Sequence, residues 1–178
     1  MDTNTKLVRG NRPRFARELL MPVAGGAALL AAAIASPAAA QYHQEIGNDM
    51  RRCDASGGPA VLVMVEGIKS STGKLRVQSY RATAADWLQK GRWLTRTDLP
   101  ARAGSMSICV PVPAAGNYAI AIRHDVDGSG GTDLFKDGGG MSNNPAINIF
   151  NLGKPSVSKT SFPVGPGVKT IRIRMRYM

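Results

Sequence analysis

Between Arg123 and Asn144 the chain reads RHDVDGSGGTDLFKDGGGMSNN, which gathers four aspartates, a histidine and six glycines into 22 residues. Carboxylates at short even spacings, separated by residues that let the backbone turn sharply, suit a hard cation that takes oxygen ligands. With Asp125 as position one, Asp127, Ser129 and Asp133 fall at three, five and nine, Gly130 at six and the Gly131 carbonyl at seven. This is the spacing of an EF-hand-type calcium loop, so Asp125, Asp127, Ser129, Gly131 and Asp133 are the expected calcium ligands. Position twelve is Lys136 rather than a bidentate glutamate. The set is therefore incomplete unless Asp137 or another segment closes it, and its affinity would then be roughly 10⁻⁴ to 10⁻³ M at best. The same residues also spell turns, in which aspartates bond their own backbone.

A hydrolytic chemistry would pair His124 with Asp125 or Asp127 and use Ser142 as nucleophile. Ser142 lies in GMSNN, which lacks the G-x-S-x-G elbow that strains and exposes a nucleophilic serine. The expectation is accordingly a protein that is not an enzyme, with an envelope hydrolase as the alternative. Gly138 to Gly140 would let backbone approach a ligand closely or let the chain reverse. Ser142, Asn143 and Asn144 add donors and acceptors. Together with His124, Asp125 and Asp127 they form an expected contact loop for a glycan, a peptide or a protein, or else a cap on the fold.

The elements that must position this loop read as short strands. Val61 to Ile68 is a β-branched apolar run suited to a central strand covered on both faces, and Lys74 to Tyr80 alternates after the turn at Ser70 to Gly73, so the two read as a hairpin. Trp93 to Leu99, Met106 to Val112 and Asn117 to His124 follow, the last with Tyr118, Ile120, Ile122 and His124 on one face. Thr83 and Asp86 have capping-box spacing ahead of Trp87 and Leu88, which predicts a short helix from Thr83 to Gly91. Beyond the loop, Ala146 to Leu152 reads as an edge strand and Pro155 to Pro163 as a loop. In Val168 to Tyr177, Ile171, Ile173, Met175 and Tyr177 face one way and Arg172, Arg174 and Arg176 the other. About seven strands and one short helix predict an all-β, antiparallel two-sheet sandwich.

Residues 1–40 read as a cleaved signal peptide: five basic residues, an apolar run from Leu19 to Ile34, then SPAAA ending at Ala40. The run is shorter than the 18 or so residues a spanning helix needs, so the mature chain is expected to be periplasmic or secreted and not membrane-spanning. Residues 41–59 form an extended N-terminal segment, and residues 60–178 the sandwich domain. Five of the 23 basic and two of the 12 acidic residues lie in the leader, which leaves a net charge of +8 on the mature chain. Such a surface suits acidic partners. Arg172, Arg174 and Arg176 are the candidate contacts for an anionic surface, or guards of an edge strand. Nucleic acid is not expected for an exported chain without a stacking platform. The only cysteines, Cys53 and Cys109, are expected to pair as an intrachain disulfide in an oxidising compartment, free thiols or an intermolecular bridge being the alternatives.

Three segments resemble one bacterial family. EGIKSSTGKLRV spans Glu66 to Val77, GNYAIAIRHDVDGSG spans Gly116 to Gly130, and GGGMSNNP spans Gly138 to Pro145. Gly116, Tyr118, His124, Asp125, Asp127, Gly128, Gly130, Asp133, Ser142 and Asn143 carry the likeness. Together they resemble the domain-of-unknown-function family 2141 from about Val61 to Met175. The resemblance implies an exported, transthyretin-like or Ig-like β-sandwich, and it assigns no activity. Asp127 to Gly130 stands where an Asn-Gly-Asn-Gly loop is expected, and Lys136, Asp137 and three glycines replace a Pro/Glu-bearing approach to the Ser-Asn pair. A ligand read at those positions does not carry over.

Overall fold

The computed structural model describes Met1 and residues 42–133, 135–147 and 153–178. The leader expected at residues 1–40 lies outside them, Met1 excepted. No helix among the described residues is long and apolar enough to cross a membrane.

The strands are β1 (Gln44–Glu45), β2 (Ala60–Ile68), β3 (Lys74–Arg81), β4 (Thr95–Pro100), β5 (Gly104–Pro111), β6 (Gly116–Asp125), β7 (Gly138–Met141), β8 (Phe162–Val164), β9 (Val168–Arg174) and β10 (Arg176–Tyr177). A 3-10 turn at Met50–Cys53 and one α-helical turn, α1 (Val157–Thr160), complete the described elements. The larger sheet runs β1-β4-β3-β6-β7-β10, with β8 also on β6; the smaller runs β5-β2-β9. The expected all-β sandwich of two sheets is therefore present. Most pairs are antiparallel, but β1–β4 and β2–β9 are parallel.

Alternation builds the core. Val61, Val63 and Val65 from β2, Ile108 from β5 and Ile173 from β9 meet Leu75, Val77, Ile120 and Ile122 from the larger sheet, and all are at most 3% exposed. The outward residues of β2, Leu62 and Met64, are half-buried, so this strand is covered fully on one face and partly on the other. The hairpin expected between β2 and β3 does not form, because the two strands lie in different sheets. Ser70 to Gly73 carries the chain across the sandwich, so the apolar faces of β2 and β3 oppose each other through the core. β2 instead takes β5 and β9 as ladder partners.

The helix expected from Thr83 to Gly91 is a series of turns. The capping contacts exist: the Thr83 hydroxyl donates to Asp86 Oδ2 at 2.8 Å and accepts from the Asp86 amide at 3.2 Å. The Trp87 amide also reaches the Thr83 carbonyl at 2.9 Å. Leu88 then adopts φ +54°, a left-handed conformation that ends helical propagation. The helical turn lies instead in Pro155 to Pro163, together with β8. Ala146 and Ile147 form no strand, and the rest of that expected edge strand lies outside the described residues. The last amphipathic stretch breaks at Met175, where the chain leaves the smaller sheet as β9 and joins the larger as β10.

The N-terminal segment is tied to both sheets on one side. β1 pairs with β4. Asn48 accepts from the Cys109 amide at 2.9 Å and donates to the Ser107 carbonyl at 3.1 Å, satisfying the free edge of β5. Cys53 and Cys109 form the expected disulfide. Closing a loop of 56 residues constrains the unfolded chain by about 4 kcal/mol in the chain-entropy account. Replacing both cysteines with alanine is expected to lower unfolding stability by up to about 4 kcal/mol, measured as a fall in the urea midpoint together with a steeper slope from the expanded unfolded chain.

Across β3 and β4, Arg76 grips Asp98 with two 2.8 Å hydrogen bonds. This guanidinium holds the Asp98 carboxyl below its ordinary value of 3.8, against the opposing effect of partial burial. A carboxylate whose folded-state pKa is depressed contributes stability above its unfolded pKa, and loses it as pH falls through the folded value. Wild-type protein should therefore exceed Asp98→Asn in urea midpoint at neutral pH. The gap should close as pH drops below about 4.

Candidate functional site

The β6–β7 register organises the loop. His124 lies opposite Gly138, so Asp125 and Asp137 stand next to each other at the mouth of the connection. Asp137 is 6% exposed and accepts the Val126 amide on Oδ1 (3.2 Å) and the Asp133 amide on Oδ2 (3.0 Å). Asp125, 5% exposed, accepts the Gly130 amide on Oδ2 at 3.0 Å, while its Oδ1 is buried without a hydrogen-bond partner. Asp127 is exposed and accepts the Ser129 amide at 3.1 Å. That bond, more than the nearby Lys136, holds the Asp127 carboxyl below the usual range. One oxygen from each of Asp125, Asp127 and Asp137 lies within 4.8 Å of the others.

Two of the five residues read from spacing as calcium ligands, Asp125 and Asp127, belong to this cluster. Beside it the Arg123 guanidinium donates to the Gly131 carbonyl, to the Gly130 carbonyl at 3.0 Å and to the Thr132 hydroxyl at 3.1 Å. Asp133 bonds the Phe135 and Lys136 amides (2.9 and 3.3 Å), as a turn-forming aspartate does. Asp133 is not one of the three clustered carboxylates. The third carboxylate is that of Asp137, the residue expected to close the set, brought beside Asp125 by the β6–β7 pairing.

His124 points the other way along β6, into the core, and is 0% exposed. Its Nε2 lies 2.8 Å from the Thr72 carbonyl, and its Nδ1 2.7 Å from the Tyr177 hydroxyl. That hydroxyl also accepts the Lys69 amide at 3.0 Å. A carbonyl can only accept, so Nε2 carries the proton and Nδ1 accepts from Tyr177. Burial raises the Tyr177 hydroxyl above its ordinary value of 10, opposed by the Lys69 amide, so it remains a donor at neutral pH. The histidine thus ties β6 to the β2–β3 crossing and to β10.

Ser142 is equally engaged: its hydroxyl donates to the Thr160 carbonyl at 2.6 Å and accepts the Ile120 amide at 3.0 Å. The Ser142 amide bonds Ile120, four residues from His124, which separates the pair by roughly 13 Å along the strand. Asp125 is on the opposite face of β6 from His124. The constellation considered for hydrolysis is not assembled. Asn143 and Asn144 take positive φ, 63° and 50°. Asn143 donates to the Ser161 carbonyl at 2.8 Å. Asn144 donates to the Arg172 carbonyl (2.9 Å) and accepts the Arg174 amide (2.7 Å), pairing with β9 as a strand would. These polar groups latch one sheet to the other.

The triple glycine is a strand, not a ligand cradle. A Cβ on Gly138 would lie 2.3 Å from the Tyr177 ring, and one on Gly140 would lie 2.8 Å from Ile173 Cγ2. The arginine stripe is split by the sheet change at Met175. Arg172 and Arg174 project from the smaller sheet, with Arg172 3.7 Å from Glu66, whereas Arg176 belongs to the larger.

On the outer face of the larger sheet a trough of about 580 Å³ opens beside the carboxylates. Leu88, Ala121, Met141 and Ile147 give it apolar walls, and Lys154 and Arg176 lie along it. Among the described residues neither cation has an ion-pair partner. Arg123 also lines it, with a buried Nε that lacks a hydrogen-bond partner. Composition and spacing carry no signal for this trough, whose lining is drawn from segments far apart in the chain.

Residues 63–172 match the model of a family described as "Uncharacterized protein conserved in bacteria (DUF2141)". The chain belongs to this family. No curated protein and no solved structure matches it. The DUF2141 match runs from β2 into β9 and contains all three clustered aspartates, His124 and Ser142. It stops short of Tyr177 and begins beyond Cys53, so the relay to Tyr177 and the disulfide each join a residue inside the family match to one outside it. Tyr177→Phe removes the acceptor of the Lys69 amide and the donor to His124. The expected loss is about 1–3 kcal/mol of stability, checked by urea unfolding, with a changed His124 tautomer signal in ¹⁵N NMR.

Proposed function

We propose that this DUF2141 protein is an exported, non-catalytic binding module that holds a small amphipathic anion, a carboxylate or phosphate on a short apolar tail, in the trough of its larger sheet. The observation that carries this reading is the pairing of an apolar wall with two unpartnered cations, Lys154 and Arg176, in one concavity. Ligand sites of a few hundred Å³ have this character, mostly apolar with a few polar groups that fix orientation. Export is supported by the leader-like first forty residues and by the disulfide, a bond that persists in oxidising compartments. A non-catalytic role is supported by the engagement of His124 and Ser142 in holding the fold.

The test is calorimetric titration with decanoate and decyl phosphate, against decanol and decyltrimethylammonium as neutral and cationic controls. The anions should bind in preference to both controls. Lys154→Ala/Arg176→Ala should weaken them about tenfold or more, since a hydrogen bond to a charged group contributes roughly 1.5–3 kcal/mol. Equal affinity for decanol, or no effect of the double substitution, would refute the assignment.

A further inference from the structure

We propose that Asp125, Asp127 and Asp137 form a calcium site at the mouth of the β6–β7 connection, with a ligand set different from the one the loop spacing spells. Two independent observations meet there. The first is the cluster itself, with one carboxylate oxygen from each residue within 4.8 Å of the others. The second is the orphaned Oδ1 of Asp125, on a residue 5% exposed whose carboxylate faces the other two. Buried charged oxygens are ordinarily hydrogen-bonded, paired or bound to a metal.

The surroundings leave this charge only partly met. Arg123 stands 3.7 Å from Asp125 Oδ2, but its donors are directed to the Gly130 and Gly131 carbonyls and Thr132. Lys136, 63% exposed, lies 3.5 Å from Asp127 and 4.0 Å from Asp133. An exposed ammonium at that range is weakly held and easily displaced.

An all-oxygen set selects a hard cation, and coordination geometry selects among these. Calcium takes six to eight oxygens at about 2.3–2.6 Å in flexible geometry, whereas magnesium demands a near-ideal octahedron at about 2.0–2.1 Å. Asp137, held by the Val126 and Asp133 amides, is fixed by the backbone rather than free to meet an octahedron, so the cluster suits calcium better. Waters would complete the coordination, and without a bidentate glutamate the affinity belongs near 10⁻⁴ M.

The experiment is thermal unfolding of the purified, disulfide-bonded protein in EDTA, then in about 10 mM calcium, magnesium or sodium chloride at matched ionic strength, with calcium calorimetry alongside. Calcium should raise Tm by roughly 8–11 °C and magnesium by much less. The shift should vanish in Asp137→Asn and in Asp127→Asn, and persist in Asp133→Asn. Because Asp127 is exposed, its variant keeps the test open should the buried Asp137→Asn variant not fold. No calcium shift and no calorimetric heat in wild type would overturn the site. A shift that survives Asp127→Asn, or disappears in Asp133→Asn alone, would overturn the ligand set; an equal response to magnesium would overturn the choice of calcium. Trough variants leave all these readouts in place, so the outcome stands apart from the anion-binding reading.

Discussion

The close approach of the C-terminal segment to the glycines of β7 is the contact on which the rest of the sandwich depends. Tyr177 fills the space above Gly138 where a Cβ would stand, and Ile173 and Met175 fill that above Gly140. Because β9 belongs to the smaller sheet and β10 to the larger, this segment closes that side of the core. Asn144 and the Tyr177–His124–Thr72 relay add directional bonds at the same seam. Side chains on the glycines would hold the sheets apart and uncouple these bonds together, so a stretch that looks permissive in sequence is one of the most constrained in the fold.

The opposite side is closed by different means. There the N-terminal segment, with little apolar content of its own, is fixed by the disulfide, by β1 and by Asn48. One seam relies on packing against absent side chains and the other on a covalent link with borrowed strand geometry. Between them lies a core whose valines and isoleucines alternate as the strand period requires. The carboxylates and the trough share the outer face of the larger sheet. What the seams hold in register is therefore also what brings Asp125 beside Asp137.

Strand existence was legible because it depends on local pattern: β3, β5, β6 and β9 lie where the period-two alternation puts them, and β2 where the β-branched apolar run does. Strand partnership was not, since Val61 to Ile68 and Lys74 to Tyr80 carry the same pattern whether they pair side by side or oppose each other across the core. The Thr83–Asp86 cap was read correctly as a local motif, but Leu88 turned the chain away from a helix so that Trp87 could pack on Tyr80 and bond Pro155. The carboxylate loop was legible in composition but only partly in geometry, because spacing describes a contiguous loop and Asp137 arrives by pairing. His124, Ser142, Asn143 and Asn144 looked chemically available because sequence does not display the backbone groups they satisfy.

The parallel pairing of β2 with β9 sets an order of events for assembly. β2 enters near the beginning of the domain, and the strand that completes its sheet enters near the end, with Ala60 opposite Val168. Until Val168 to Arg174 arrives, one backbone edge of a Val-rich strand stays unpaired, whatever hairpins have formed in the larger sheet. Long-range pairings of this kind fold slowly and leave strand edges open meanwhile. Whatever else has formed, the smaller sheet closes only when Val168 to Arg174 has returned to the first long strand.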